Sequence, residues 1–302
     1  MKIASIIVTF YPTEEIVKLV FLLQKNTHVF LINNSEEVLD VIRKIKRDFK
    51  SRITIVENKK NIGLAPAQNI GIRLGLKENF DFFLFFDDDS MVDDGYVLDL
   101  INSFKNYKDS HPKEKIGIFA SNFYDVNLGR ETNFGVLTKN SYQTKTFWQN
   151  NEKYLKVSFV VSSGMLIPAK TFLKLGLFRS SFFIDHIDTE YCLRILKANL
   201  SIIVTKKPYL SHTVGSRKEY KILGMSFKPT FNSAQRKYYV ARNGIQLVKE
   251  YGRKFPGFAR IFYKKFIHDL VGIIFFEDQK QAKLRATFKG LRDGKRIYGG
   301  NK

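Results

Sequence analysis

Phe82-Phe83-Leu84-Phe85-Phe86-Asp87-Asp88-Asp89 is the stretch on which the reading of this chain turns. Five successive apolar side chains suit a strand covered on both faces, and three carboxylates follow without a turn residue between. Asp87 and Asp89 stand two apart, so in extended backbone they project to the same side. Two carboxylates abutting an apolar strand repel each other unless a cation sits between them. Oxygen-only ligands suit Mg²⁺ or Mn²⁺, which would also hold a diphosphate. Taken alone, the acids are read equally well as a capped strand end or an acidic turn. The apolar run leading straight into them tips the balance to function.

Working outward, the first half alternates two periodicities. Ile3–Thr9 reads as strand, 14–24 as helix, 29–32 as strand, 38–49 as helix, Ile53–Glu57 as strand, 66–78 as helix and 82–86 as strand. That order with short loops predicts an α/β fold: a mostly parallel, Rossmann-like sheet with helices on both faces. Ligands of such sheets bind beyond the carboxyl ends of the strands, where each motif below falls. A polar stretch over 125–153 interrupts the pattern; a strand over 157–161, a helix over 187–198 and a strand over 201–205 follow. Residues 1–230 are therefore expected to form one α/β domain carrying the motifs, and 231–302 a helical, basic and aromatic region.

The last region carries most of the charge. The 302-residue chain has a formal net charge of +21, and residues 231–302 hold 17 Lys and Arg against 5 Asp and Glu. Phe255, Phe258, Phe262 and Phe266 fall near one helical face, with Arg260, Lys264 and Lys265 between them. Such a stripe suits an anionic membrane surface, or packing on the catalytic domain or a second copy in a homo-oligomer. Nucleic acid is the other partner that basic residues with aromatics suggest, but such a module has no use for a triacid at a strand end. The run 270–276 is far shorter than the ~20 residues a membrane span needs. The opening residues read as a buried strand rather than a signal peptide, and the single Cys192 fits a reducing cytoplasm.

Four further segments offer candidates. His212, in Ser211-His212-Thr213, is read as an ordinary polar or core histidine unless the fold brings it near Asp89. Asp185-His186-Ile187-Asp188-Thr189-Glu190 opens a helix, so Asp185 fits an N-cap with acids in the first turn, while one Asp could take a proton from an acceptor hydroxyl. Asn61-Ile62-Gly63-Leu64-Ala65-Pro66-Ala67-Gln68-Asn69-Ile70-Gly71 is a loop feeding a helix whose N-terminus suits a phosphate, although an ordinary connection looks the same. Asn33-Asn34-Ser35 is explained by turn chemistry alone.

Together these segments, with Ile6–Pro12, Ser163-Gly164-Met165 and Tyr238-Tyr239…Arg242-Asn243, resemble the inverting family 2 glycosyltransferases of the GT-A fold, in particular the bacterial rhamnosyltransferase-like branch. The resemblance implies that Thr9 and Asn33 help hold the nucleotide base, and that Phe10, Asn61, Gly63, Gln68, Asn69, Asp87 and Asp88 belong to the donor site. It implies a Mn²⁺ or Mg²⁺ ion on Asp87, Asp89 and His212. Asp188 matches the Asp of the family's Glu-Asp pair, the usual catalytic base, but Ile187 replaces the Glu, which leaves Asp185 as a rival. The implied reaction is transfer from a dTDP- or UDP-linked sugar to a saccharide or polyprenyl-linked acceptor. It would run at the inner face of the cell membrane, with dTDP-L-rhamnose the first candidate donor. The triacid replaces the branch's usual Asp-Gln-Asp, and UDP-galactofuranose enzymes also carry a triacid.

Overall fold

The computed structural model describes residues 1–49, 51–125, 130–138, 141–148, 152–212, 220–222, 225–227 and 229–299. Strands and helices alternate through β1 (Ile3–Thr9), α1 (Glu15–Gln24), β2 (His28–Asn33), α2 (Asp40–Asp48), β3 (Ile53–Glu57), α3 (Leu64–Lys77), β4 (Phe82–Asp87) and α4 (Tyr96–Ser110). There follow β5 (Ile116–Asp125), β6 (Arg130–Glu131), β7 (Phe134–Leu137), β8 (Tyr142–Lys145), β9 (Tyr154–Val157), β10 (Met165–Pro168), α5 (Ala169–Leu175), α6 (Ile187–Lys197) and β11 (Ser201–His212). The chain ends in β12 (Tyr220–Ile222), β13 (Met225–Phe227), α7 (Ala234–Tyr251), α8 (Pro256–Phe275) and α9 (Lys280–Gly299).

Among the described residues, the main sheet has nine strands, in the order β3-β2-β1-β4-β10-β5-β11-β9 with β6 paired to β5. β3, β2, β1 and β4 are mutually parallel, as is the β5–β11 pair, whereas β10, β9 and β6 run antiparallel to their neighbours. This is the mostly parallel α/β sheet of the GT-A fold. Strand β4 shows why it is covered twice. Its period of two sends Leu84 and Phe86 into a core shared with α1, α2 and α4. Phe83 and Phe85 point the other way, into an aromatic cluster with Phe172, Phe178 and Tyr191 from the α5–α6 region. On that second face α3 approaches the sheet so closely that a Cβ at Gly75 would collide with the Phe83 ring.

Several boundaries differ from expectation. The strand expected over 157–161 is β9, four residues ending at Val157, and β11 continues past 205 to His212. The 125–153 stretch contributes the short strands β6, β7 and β8.

The chain divides into two compact units, the first comprising residues 1–135, 144–183 and 187–213, the second 136–143, 184–186 and 214–302. In the second unit α7 packs along α9 and α8. Here one expectation is corrected. Phe258 and Phe262 do not face outward: both are buried, and Phe262 fills the space beside Gly244 of α7. A helix surrounded by neighbours buries its larger apolar stripe first, and Phe262 stacks on Phe266 within that packing. The outward side of α8 carries Tyr263, Ile267 and Ile274 instead. Beneath lies a buried ion network: Lys237 Nζ donates to Asp269 and Glu277, and Glu277 also accepts from Lys283. Among the described residues, no helix is long and apolar enough to cross a membrane.

Candidate active site

The parallel strands β1, β2 and β4 end together, with Thr9 opposite Asn33 and Val8 opposite Asp87. The chain leaves β4 in a turn closed by Ser90 N–H donating to the Asp87 carbonyl. The Asp87 backbone N–H is shared by the hydroxyls of Ser90 and Ser163, which bond each other at 2.7 Å. Asp88 Oδ2 accepts the Phe10 backbone N–H at 3.2 Å, tying the end of β1 to the triacid. Burial, then the charges of Asp89, Asp88 and Asp188, push the Asp87 carboxyl up to about 7. Burial likewise raises Asp88. The charge on Asp188, from the first turn of α6, is thus felt at β4 although 101 positions separate the residues.

His212 is the last residue of β11, and its neighbour Ser211 exchanges both backbone hydrogen bonds with Met91 at 3.0 Å. The backbone therefore brings His212 beside the loop that carries Asp89; its side chain lies outside the described residues.

Asp188 and Asp185 have different surroundings. Asp188 Oδ1 accepts from the Thr189 N–H and hydroxyl in the first turn of α6. Asp185 precedes the helix, and within the second unit Arg236 grips both of its carboxylate oxygens, at 2.6 and 3.3 Å. It is not a helix cap. Asp185 and His186 both adopt left-handed backbone, with φ of 64° and 61°, which costs on the order of 1 kcal/mol or more for each non-glycine residue. Fully buried Asn243 offsets this strain by donating to the carbonyls of Ile184 and Asp185, each at 2.9 Å. The Tyr-Tyr…Arg-Asn pattern of the sequence was the one available signal for that clamp.

The donor-side candidates form a linked set. Thr9 and Asn33 are buried and bonded through Thr9 Oγ1 and Asn33 Oδ1 at 3.3 Å, and the same amide oxygen accepts the Ser35 N–H. Two donors thus already engage the amide oxygen of a residue expected to help hold a nucleotide base. Phe10, the next residue after Thr9, is half exposed. Asn34, given no role by sequence reasoning, is the hub: its Oδ1 accepts from Asn58 and the Ile62 N–H, and its Nδ2 donates to Asn61 Oδ1 and the Gly63 carbonyl. Gly63 has φ of 92°, and a Cβ there would lie 2.8 Å from the Phe183 carbonyl oxygen. Gln68 Nε2 donates to Ser162, next to the Ser163 that supports Asp87, while its buried Oε1 has no partner among the described residues. Asn69 spends its amide on the segment after α5, donating to the Phe178 carbonyl and Ser180 and accepting the Phe178 N–H.

Acids, linked polar side chains and the start of helix α3 lie at the carboxyl edge of the parallel strands, the place where ligands of such sheets bind. Residues 5–175 match the model of glycosyl transferase family 2, and the chain belongs to that family. It is a glycosyltransferase. It is 27% identical over 251 residues to the dTDP-rhamnosyl transferase RfbF of Shigella flexneri, covering 82% of this chain and 80% of that protein. Among solved structures it is similar to TarS of S. aureus at a TM-score of 0.52 and 14% identity, over 82% of this chain but only 40% of TarS. The 1–349 fragment of TarS matches all of this chain with 74% of its own length, at a TM-score of 0.51 and 14% identity. Those likenesses concern the fold.

Replacing Gly63 by alanine should test the donor-side scaffold. The substitution forces a Cβ into Phe183 and a backbone conformation reserved for glycine, so it should cost about 2 kcal/mol or more. Thermal unfolding should show that loss, together with weakened nucleotide binding; an unchanged melting temperature contradicts the described loop.

Proposed function

We propose that the enzyme is an inverting rhamnosyltransferase that moves L-rhamnose from dTDP-L-rhamnose to a hydroxyl of a saccharide or polyprenyl-linked acceptor during assembly of a bacterial surface glycan. The observation that carries the reading is the convergence of Asp87, Asp88, Asp89 and Asp188 on the sheet edge that also holds the Thr9–Asn33 pair. The choice of donor is supported by the likeness to RfbF along most of both chains.

The chemistry of the acids supports a divalent cation: Asp87 is raised by burial and by three neighbouring acids, a repulsion that Mn²⁺ or Mg²⁺ would relieve. Asp87, Asp89 and His212 would hold the ion, which when bound neutralises the departing nucleotide diphosphate. Asp188 takes the proton of the acceptor hydroxyl as its oxygen attacks the anomeric carbon opposite the leaving diphosphate, which inverts that carbon. Asp185, neutralised by Arg236, keeps the α6 entry in shape. Asn33 and Thr9 order the base pocket, and Asn34 holds the loop leading to α3 beside it.

Asp188→Asn should lower kcat by about 10²–10⁴ with dTDP binding unchanged, as expected for loss of a general base. Asp185→Asn should leave nucleotide binding intact and cost far less. Assays of both variants on dTDP-L-rhamnose and UDP-galactofuranose settle the point: turnover of UDP-galactofuranose alone would overturn the donor, and equal losses would overturn the base.

We also propose that the second unit rests on the anionic inner face of the cell membrane. On α8, Tyr263, Ile267 and Ile274 are exposed along one side with Lys264 beside them, in a region of net charge +12. Ile267 is 60% and Phe275 63% exposed. Apolar side chains would enter the interface while each nearby lysine or arginine adds about 1 kcal/mol at a charged surface. Co-sedimentation with phosphatidylglycerol vesicles should be strong at low salt, fall as salt rises, and weaken in Ile267→Asp. Recovery in the supernatant with these vesicles at low salt would refute it.

A further inference from the structure

Four backbone segments line up into one row at the carboxyl edge of the sheet. Met91 pairs with Ser211, Ser211 with Tyr124, and Tyr124 with Glu131. Paired residues share a face, so the Ser211, Tyr124 and Glu131 side chains stand on the same side, joined by Tyr209, two positions before Ser211. The intervening Leu210 and Phe123 point oppositely, into the core beneath. Three strand spacings separate Met91 from Glu131, roughly 14 Å.

The chemistry along this row is uneven in a telling way. The Tyr124 and Tyr209 rings meet edge to face, with centroids 6.3 Å apart, and both are partly exposed. Tyr209 Oη donates to Glu131 Oε1 at 3.1 Å. Glu131 Oε2 is buried and has no hydrogen-bond partner among the described residues. A carboxylate in that state calls for a donor and repels anions. Partly exposed tyrosine rings beside a carboxylate oxygen suit a ligand with apolar C–H faces and hydroxyl donors. The Met91 end lies two residues from Asp89, on the loop that follows β4.

We propose that the row Met91–Ser211–Tyr124–Glu131, with Tyr209, is the subsite for a neutral saccharide acceptor. Sugar rings lie on Tyr124 and Tyr209, hydroxyls donate to Glu131, and the end of the acceptor nearest Met91 meets the donor. The proposal rests on the glycosyl-transfer reading and goes beyond it by naming the wall that receives the acceptor and the charge it excludes.

Saturation-transfer NMR tests this, with a panel of neutral methyl glycosides as probes and dTDP in the same tube. The wild type should show transfer to at least one glycoside. Glu131→Gln should weaken that glycoside by about tenfold, the scale of one lost charge-assisted hydrogen bond, and Tyr124→Ala should abolish its signal, with dTDP unaffected in both. Tyr209→Phe, which keeps the ring and frees the carboxylate, guards against misfolding of the alanine variant and should also weaken the glycoside. A glycoside signal unchanged in all three variants, or absent from the wild type while dTDP binds, overturns the subsite. A glycoside signal that behaves as expected while dTDP fails to bind supports the subsite and counts against the donor reading instead.

Discussion

A carboxylate driven into the end of an apolar strand sets the terms for everything around it. Asp87 continues the run of Phe82 to Phe86, so the burial that stabilises the strand also desolvates its terminal charge. Asp88, Asp89 and Asp188 add repulsion rather than relief. The arrangement persists because the surrounding backbone is over-determined. Ser90 and Ser163 bond the Asp87 N–H, Phe10 N–H meets Asp88, and the Met91–Ser211 pair fixes the loop beyond. Each of these contacts fixes backbone next to the acids, so the fold and the candidate site share their hydrogen bonds.

Asparagines do much of the remaining ordering. Asn34 holds the loop before α3, Asn69 holds the segment after α5, and Asn243 holds the left-handed pair before α6. All three are buried and bond backbone groups, which keeps those polar groups satisfied in an interior. Residues with the chemistry of ligand contacts are here spent on backbone. Among the described residues at this edge, Asp87 is the carboxylate most strongly perturbed by its neighbours, and Gln68 Oε1 is buried without a partner.

The parallel half of the fold was legible because its signal is local. Alternating strand and helix periods from Ile3 to Phe86 determine a sheet with few alternatives, and the triacid marks its functional edge. What was hidden depends on partners distant in sequence. Helix α4 and strands β5 and β10 lack a signature as clear, and β10 enters antiparallel between β4 and β5. Asp185 looked like a helix cap because Arg236, 51 positions away, and its left-handed backbone leave no local trace. The aromatic stripe of α8 was visible as a stripe, but only the packing of Phe262 against Gly244 shows which way it turns.

The central claim is that the acids ending β4 hold the nucleotide diphosphate through a divalent cation. Calorimetric titration with dTDP tests it most directly, comparing the protein in Mn²⁺ with the same protein in EDTA, and both with Asp89→Asn. Binding should be at least about tenfold tighter with Mn²⁺, a difference of about 1.4 kcal/mol, and the gain should vanish in the variant. Equal affinity with and without the metal in the wild-type protein would contradict the account.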